Sequence, residues 1–332
     1  MALLQRNSDF LFLYEATQCN PNGDPDQENK PRMDYDTDTN LVTDTRVKRY
    51  VRDYLKMTGH EIFVDGEEGA KVSPATKLQQ VISRALAEPA TVKALFAEKP
   101  ELEASLQQLL DAEKAPEKVF KKLQQKENRT LSLYLLAQMV KQQFVDIRLF
   151  GSAFAVEGFN RAYTGPVQLN WGYSLNKVKL MDSSTIASTM NDDNGTFGKD
   201  YRVHYSLLAF NGSANRYAAQ TSGLTEEDLE LFRKALWESI PALPTRSKLN
   251  QYPKLYVEVV YKEDSSNGQL GDLRNYVRAT ATTADEKAVR RLEDLTLDTT
   301  ALTQAIEASD AVDYVIVRTG PGVTFANPKP RR

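Results

Sequence analysis

The side chains that carry most enzyme chemistry are scarce in this chain. Its 332 residues include two histidines, His60 and His204, and one cysteine, Cys19. These cannot make a Cys/His zinc site, and they leave little for a Ser–His–Asp arrangement. Carboxylates are plentiful and gather in 24–38 and 225–230. The first group overlaps "NPNGDPDQENKPRMD", residues 20–34. Asp24, Asp26 and Glu28 alternate as in a calcium loop. Asn29, however, stands where that loop needs Gly, and Tyr35 where it needs the bidentate Glu. Asp34 and Asp36 could hold a metal for phosphodiester cleavage, although solvated turn acids are the commoner use of such a pair. "GTFGKD" at 195–200 has the wrong spacing for a phosphate loop and lacks its closing Ser/Thr. The expectation is a chain with no catalytic residue, no metal ligands and no cofactor.

What remains is cationic chemistry. Val42 to Lys56 holds five basic and two acidic residues, and Val315 to Arg332 holds four basic and none acidic. On a helix, Arg49, Arg52 and Lys56 fall opposite the apolar stripe, with Arg46 and Lys48 on its flanks. A solvated outer face would look the same. The preceding loop shifts the balance. Gly, Asn and Pro at the N-terminus of a basic helix present N–H groups and cations together, which suits a phosphate backbone. The candidate phosphate-backbone contacts are thus Asn20, Asn22, Gly23, Arg32, Thr43, Arg46, Lys48, Arg49 and Arg52. "TRSKLNQ" (245–251) adds Arg246 and Lys248 from a second polar loop.

The elements that must position these groups can be read in order. Leu11–Ala16 is a buried strand that ends at the loop. Thr43 is an N-cap, with Asp44 favourable to the first turn. Val47, Tyr50, Val51, Tyr54 and Leu55 recur at helical spacing, and Lys56 and Gly59 are stop signals. "HEIFVDG" reads as a short strand and turn, closing a β–loop–α–β unit over 10–66. Residues 67–144 are rich in Ala, Leu, Lys, Gln and Glu with breaks at Pro89, Pro100 and Pro116, and they read as an all-helical insertion. Strand signals return at 166–175 and 203–210, with a polar hairpin between them that turns at Asn194–Gly195. Thr225 caps a second helix with Asp228 three residues on, and Pro241 ends it. "KLYVEVVYK" and "DYVIVR" are strands. The whole is an α+β, ferredoxin-like (RRM-type) sheet with two excursions.

The length allows about two domains, and a hydrophobic content of 41% can fill a core. A formal net charge of −3 does not by itself announce a nucleic-acid binder, so local patches must carry the interaction. One cysteine permits no internal disulfide and fits a cytoplasmic protein. No apolar run approaches the roughly 20 residues of a membrane span, and no signal peptide opens the chain.

Together, "NPNGDPDQENKPRMD" and "LVTDTRVKRYVRDYL" resemble the N-terminal blocks of the Cas-seven family (RAMP superfamily), the backbone subunit of CRISPR type I Cascade. Type I-B is the nearest branch. "VDIRLFGSAF", "TGPVQLNWGYSLN", "TSGLTEEDLELFRKALW" and "RSKLNQ" follow in the family's order, so the resemblance spans roughly 9–262. It implies a non-catalytic protein that polymerises along CRISPR RNA and presents the guide for pairing with target DNA. Other Cascade subunits (Cas-five, Cas-six, the large and the small subunit) would be partners, and the Cas-three helicase-nuclease indirectly so. It implies a discontinuous palm at 1–66 and 145–332, helical fingers at 67–144 and a thumb hairpin at 177–201. Arg148, in "VDIRLFGSAF", joins the RNA contacts on this basis, and Met181, Met190 and Phe197 become candidates to wedge between bases. Family members often carry Gly in the turn before the first helix, where this chain has "DTDTN" at 36–40. Two other readings stand beside this one: a metal-dependent ribonuclease of the related type III kind built on Asp34 or Asp36, and an RNA-free scaffold.

Overall fold

The computed structural model describes residues 2–65, 73–113, 115–182, 185–187 and 197–330. The chain forms two compact units: Met1–Leu4, Leu55–Pro166 and Arg216–Leu231 make the first, and Gln5–Tyr54, Val167–Asn215 and Phe232–Arg332 the second.

In chain order, β1 (Ser8–Thr17) leads into the loop, whose short strands are β2 (Gly23–Asp24), β3 (Lys30–Pro31), β4 (Met33–Asp34) and β5 (Thr39–Val42). Then α1 (Asp44–Met57) follows. The insertion holds α2 (Pro74–Leu86), α3 (Pro89–Leu95), α4 (Pro100–Ala112), α5 (Pro116–Leu123), α6 (Arg129–Gln142) and α7 (Val145–Phe150). A hairpin of β6 (Gly151–Phe154) and β7 (Arg161–Thr164) comes next. It precedes β8 (Val167–Leu169), β9 (Gly172–Ser174), β10 (Thr185–Ala187), β11 (Phe197–Lys199) and β12 (Tyr205–Ala214). After α8 (Arg216–Ser222) and α9 (Glu226–Ala242) come β13 (Gln251–Tyr261), β14 (Arg278–Ala281), β15 (Leu295–Asp298), α10 (Thr300–Ala308) and β16 (Val312–Thr319).

The first unit is mainly helical. The prolines expected as breaks are helix starts: Pro89, Pro100 and Pro116 each open a helix, as does Pro74. A first-turn N–H has no helical partner, so Pro loses nothing there. Leu78, Ile82, Phe96, Leu106, Leu123, Leu135 and Met139 fill the core between the helices. Thr225 and Asp228 form the expected reciprocal cap, each backbone N–H bonding the other's side chain at 3.1 Å.

Of the strand expected at 60–66, the described residues 60–65 form none. The N–H groups of Phe63 and Val64 bond the buried Asp146 carboxylate at 2.8 and 3.0 Å, and the Phe63 ring packs on Phe144 and Phe154. A carboxylate 82–83 residues away has taken the place of a ladder partner. The next strands after α1 to join the main sheet are β8 and β9, on the far side of the insertion.

The second unit is built on a sheet in the order β16-β13-β1-β12-β9-β5-β4, with β8 also on β12; neighbours are antiparallel. Central β1 is buried on both faces, which is why it reads as an unbroken apolar run. Leu11 and Leu13 join one core with Leu302 and Ile306 of α10. Phe10 and Phe12 meet the rings of Phe232, Tyr256 and Phe210 on the other face. The expected hairpin within 177–201 is present as the antiparallel pair β10–β11; its turn at Asn194–Gly195 lies outside the described residues. The β6–β7 and β14–β15 hairpins and α10 were not anticipated from the sequence.

Candidate nucleic-acid interface

The loop after β1 is stitched at its root to the loop before β13. Thr17 N–H bonds Asn250 O at 3.0 Å, Asn20 N–H bonds Ser247 O at 2.9 Å, and the Lys248 ammonium donates to Asn20 O. Two loops some 230 residues apart in sequence thereby form one surface at the end of the sheet. The backbone here is unusual. Gln18, Glu28, Asn29, Asp38 and Asn250 all have φ between +49° and +68°. Non-glycine residues rarely adopt that region, and such strain gathers at functional sites. Asp38, in the "DTDTN" turn before the first helix, is left-handed at φ +57°. Its carboxylate pairs with Lys287 at 2.7 Å. At Gly23 a Cβ would fall 1.9 Å from Asn29 Oδ1, so only glycine fits.

The polar residues of the loop divide into those that hold it and those left open. Asn22 Oδ1 accepts from both the N–H and the hydroxyl of Thr43, each at 2.9 Å. Thr43 Oγ1 in turn accepts from Arg46 N–H at 3.3 Å, so the loop itself caps α1. Asn20 is buried; its Nδ2 donates to Asn29 O at 2.8 Å, while its Oδ1 meets no partner. The Nε atoms of Arg32 and Arg46 and Asn40 Oδ1 are likewise buried and unmatched. Each such group calls for an explanation, because leaving it unbonded costs about 1–3 kcal/mol.

Around these groups sit the cations. The Arg46 guanidinium lies 3.9 Å from the Tyr50 ring centroid. Burial, and then the charge of Arg46, pull the Lys248 ammonium down to about 8. Cys19 beside it is pushed up to about 12 by burial, which outweighs the opposing fields of Lys248 and Arg202. Asp200 bridges Arg202 at 2.8 Å and Arg246 at 2.9 Å, and Arg202 Nη1 also bonds Gln18 O. Arg32 pairs with Asp24 at 3.2 Å, and Lys48 with Asp44 at 3.0 Å while also reaching Gln168. Arg49 is exposed and pairs with Asp53 at 2.8 Å, one turn further from the loop. Arg52 follows on the same helix. The structure therefore brings Asn20, Asn22, Gly23, Arg32, Thr43, Arg46, Arg246 and Lys248 together at the loop.

Arg148 is held by an ion pair within its own unit. It belongs to the first unit, where its guanidinium binds the Asp228 carboxylate at 2.7 and 2.8 Å and Lys141 O at 3.2 Å. Met181 is half-exposed, Met190 lies outside the described residues, and Phe197 is described in its backbone only, as the first residue of β11. The sequence reading missed Arg202, Lys199 and Tyr201. Lys199 and Tyr201 reach back to Glu28 at 3.1 and 2.7 Å, and those bonds hold the Glu28 carboxyl below its usual range. Partners 171 to 184 residues distant leave no local pattern that could have marked these three.

The acids weighed for metal binding are turn-formers. Asp34 Oδ1 accepts from Asp36 N–H at 3.1 Å and Oδ2 from Thr37 Oγ1 at 2.8 Å. These bonds, the Thr37 hydroxyl first, hold the Asp34 carboxyl below its usual range. Among the described residues no three His, Cys, Asp or Glu side chains converge on a point that could hold a metal ion. Nor is any helix among them long and apolar enough to cross a membrane.

Fold and site together define a mixed α+β protein with a cationic loop cradle, rich in asparagine, at the end of an antiparallel sheet. Over residues 6–300 the chain matches the family model described as CRISPR-associated protein Cas7, and it belongs to that family. It is 28% identical over 341 residues to the CRISPR-associated protein Cas7 of Haloferax volcanii, covering 96% of this chain and 87% of the relative. Its fold also matches a chain of a pre-nicking CRISPR RNA-guided surveillance complex, at 13% identity and a TM-score of 0.53, over 98% of this chain and 95% of that one.

Proposed function

We propose that this protein is the CRISPR-RNA-binding backbone subunit of a type I Cascade, of the I-B kind, acting in the cytoplasm without catalysis. Copies polymerise along the guide and present it to target DNA. The other Cascade subunits join this filament, and the Cas-three helicase-nuclease acts on the assembly.

The reading rests on family membership and on one structural observation. The buried, unmatched atoms of Asn20, Arg32 and Arg46 sit in a loop surface with Lys248, Arg202 and Arg246. Phosphate oxygens would accept from the arginine and lysine donors, and a ribose hydroxyl would donate to the asparagine oxygen. Such contacts ignore base identity, as a protein that accepts any guide requires. Target sequence is then read by base pairing.

We read the sheet as a ferredoxin-like, RRM-type palm, since β1, α1, β8–β9, β12, α9 and β13 follow a β-α-β-β-α-β course. In this reading the palm is 1–66 and 145–332, the fingers are 67–144 and the thumb is 177–201. Met181, Met190 or Phe197 of the thumb would part the bases, where unstacking costs a few kcal/mol per step.

The test is binding of single-stranded RNA by the purified protein, followed by incubation with magnesium or manganese. Sequence-tolerant binding is expected, with log K falling by about 0.7 per log unit of salt for each phosphate held. Binding indifferent to salt would overturn the reading. Cleavage of complementary RNA that disappears in Asp34→Ala would replace it with the ribonuclease.

A further inference from the structure

Trp171 stands in the turn between β8 and β9 with 49% of its surface exposed. A lone exposed aromatic needs no explanation in general, but this one is held in place. The Arg32 guanidinium carbon lies 5.8 Å from the indole centroid. Arg32 is itself fixed by Asp24 and by backbone bonds to Asn22 and Leu41. From the other side, Arg274 Nη1 donates to Trp171 O at 2.7 Å while its guanidinium lies over Tyr173. The next residue, Gly172, is seated against the sheet, where a Cβ would fall 2.3 Å from the Phe210 ring. A pinned turn thus holds a large flat ring partly in solvent, with a cation against it. The ring adjoins the cradle through Arg32, and Gln168 in the preceding strand meets Lys48.

We propose that Trp171 is a stacking platform for one nucleobase of the bound single strand, with Arg32 supporting the indole. The proposal rests on the RNA-binding reading above. An anionic strand fits this place better than a protein partner, because a guanidinium, Arg32, lies against the ring and the turn that carries it adjoins the cradle. Stacking also accepts every base, since each has a π-face. The cradle would hold the backbone while the indole fixes the height of a base beside it.

The chain's two tryptophans make the test direct. In Trp237→Phe the only indole is Trp171. Titration with an oligouridine RNA of about 16 nucleotides should quench its emission in step with the anisotropy of labelled RNA. Trp171→Ala should weaken binding about 5- to 150-fold at unchanged melting temperature, and Trp171→Phe should recover most of it. RNA binding without a change in Trp171 emission, at equal affinity in Trp171→Ala, overturns the platform and leaves the RNA-binding reading standing. Absence of any RNA binding by the parent protein overturns that reading and the platform with it. Emission that follows protein concentration alone, indifferent to RNA, assigns Trp171 to a contact between copies and also overturns the platform.

Discussion

At the scale of single residues, Lys248 is the most informative group. Its ammonium is drawn inside and held on Asn20 O, and it titrates near 8 when an ordinary lysine titrates near 10.4. Between about 8 and 10.4 the unfolded chain binds the extra proton, so this group's contribution to stability rises with pH across that window. A bound phosphate acts in the opposite sense, because it favours the charged amine. RNA affinity should therefore fall as pH rises from about 7 to 9, with proton uptake on binding near pH 8. Lys248→Arg should flatten the profile, since a guanidinium stays charged. A wild-type profile identical to that of Lys248→Arg, measured by calorimetry in two buffers, would remove Lys248 from the site. Asn22 makes the complementary case of a holding residue. Its Oδ1 takes two donors from Thr43, so Asn22→Ala should lower stability by about 0.5–2 kcal/mol in denaturant titration. A change within error would mean that water replaces the side chain without cost.

At the scale of elements, the first helix shows what sequence can and cannot reveal. Its apolar spacing marks Val47, Tyr50, Val51, Tyr54 and Leu55, and all five are buried. The same spacing treats Arg49 and Arg52 as the centre of the basic face, whereas the loop lies at the helix N-terminus beside Arg46. Arg46→Ala should thus cost more RNA affinity than Arg49→Ala, whose side chain already has Asp53. Equal losses in an anisotropy titration would put the whole helix face on the RNA. The loop was legible because Gly, Asn and Pro cluster there. Asp200 and Arg202 were not, because they meet Arg246 and the loop only after folding. The "HEIFVDG" segment misled for the same reason: apolar residues predict burial, but Asp146 decides where the backbone N–H groups go. Arg148 is fixed by Asp228, 80 residues away, a pairing that no local pattern shows. The thumb is an element-scale prediction. Replacing 183–198 with a short Gly/Ser turn should leave melting unchanged and disorder the RNA-loaded particles. A large fall in melting temperature would assign the hairpin to the core.

At the scale of the whole molecule, the sheet and the helical unit each have an apolar core of their own. The formal net charge of −3 conceals the cations gathered at the loop, which is why composition alone gave no sign of a nucleic-acid partner. In the proposed filament, linked copies on one RNA would hold it more tightly than any single copy does. The measurement that tests this most directly is the RNA content of particles purified after co-expression with a CRISPR array. Wild-type protein should elute as large particles that release guide-length RNA. Arg46→Ala with Arg246→Ala should elute small and RNA-poor at unchanged melting temperature. RNA-free wild-type protein, or a double variant that carries a full complement of guide RNA, would contradict the account.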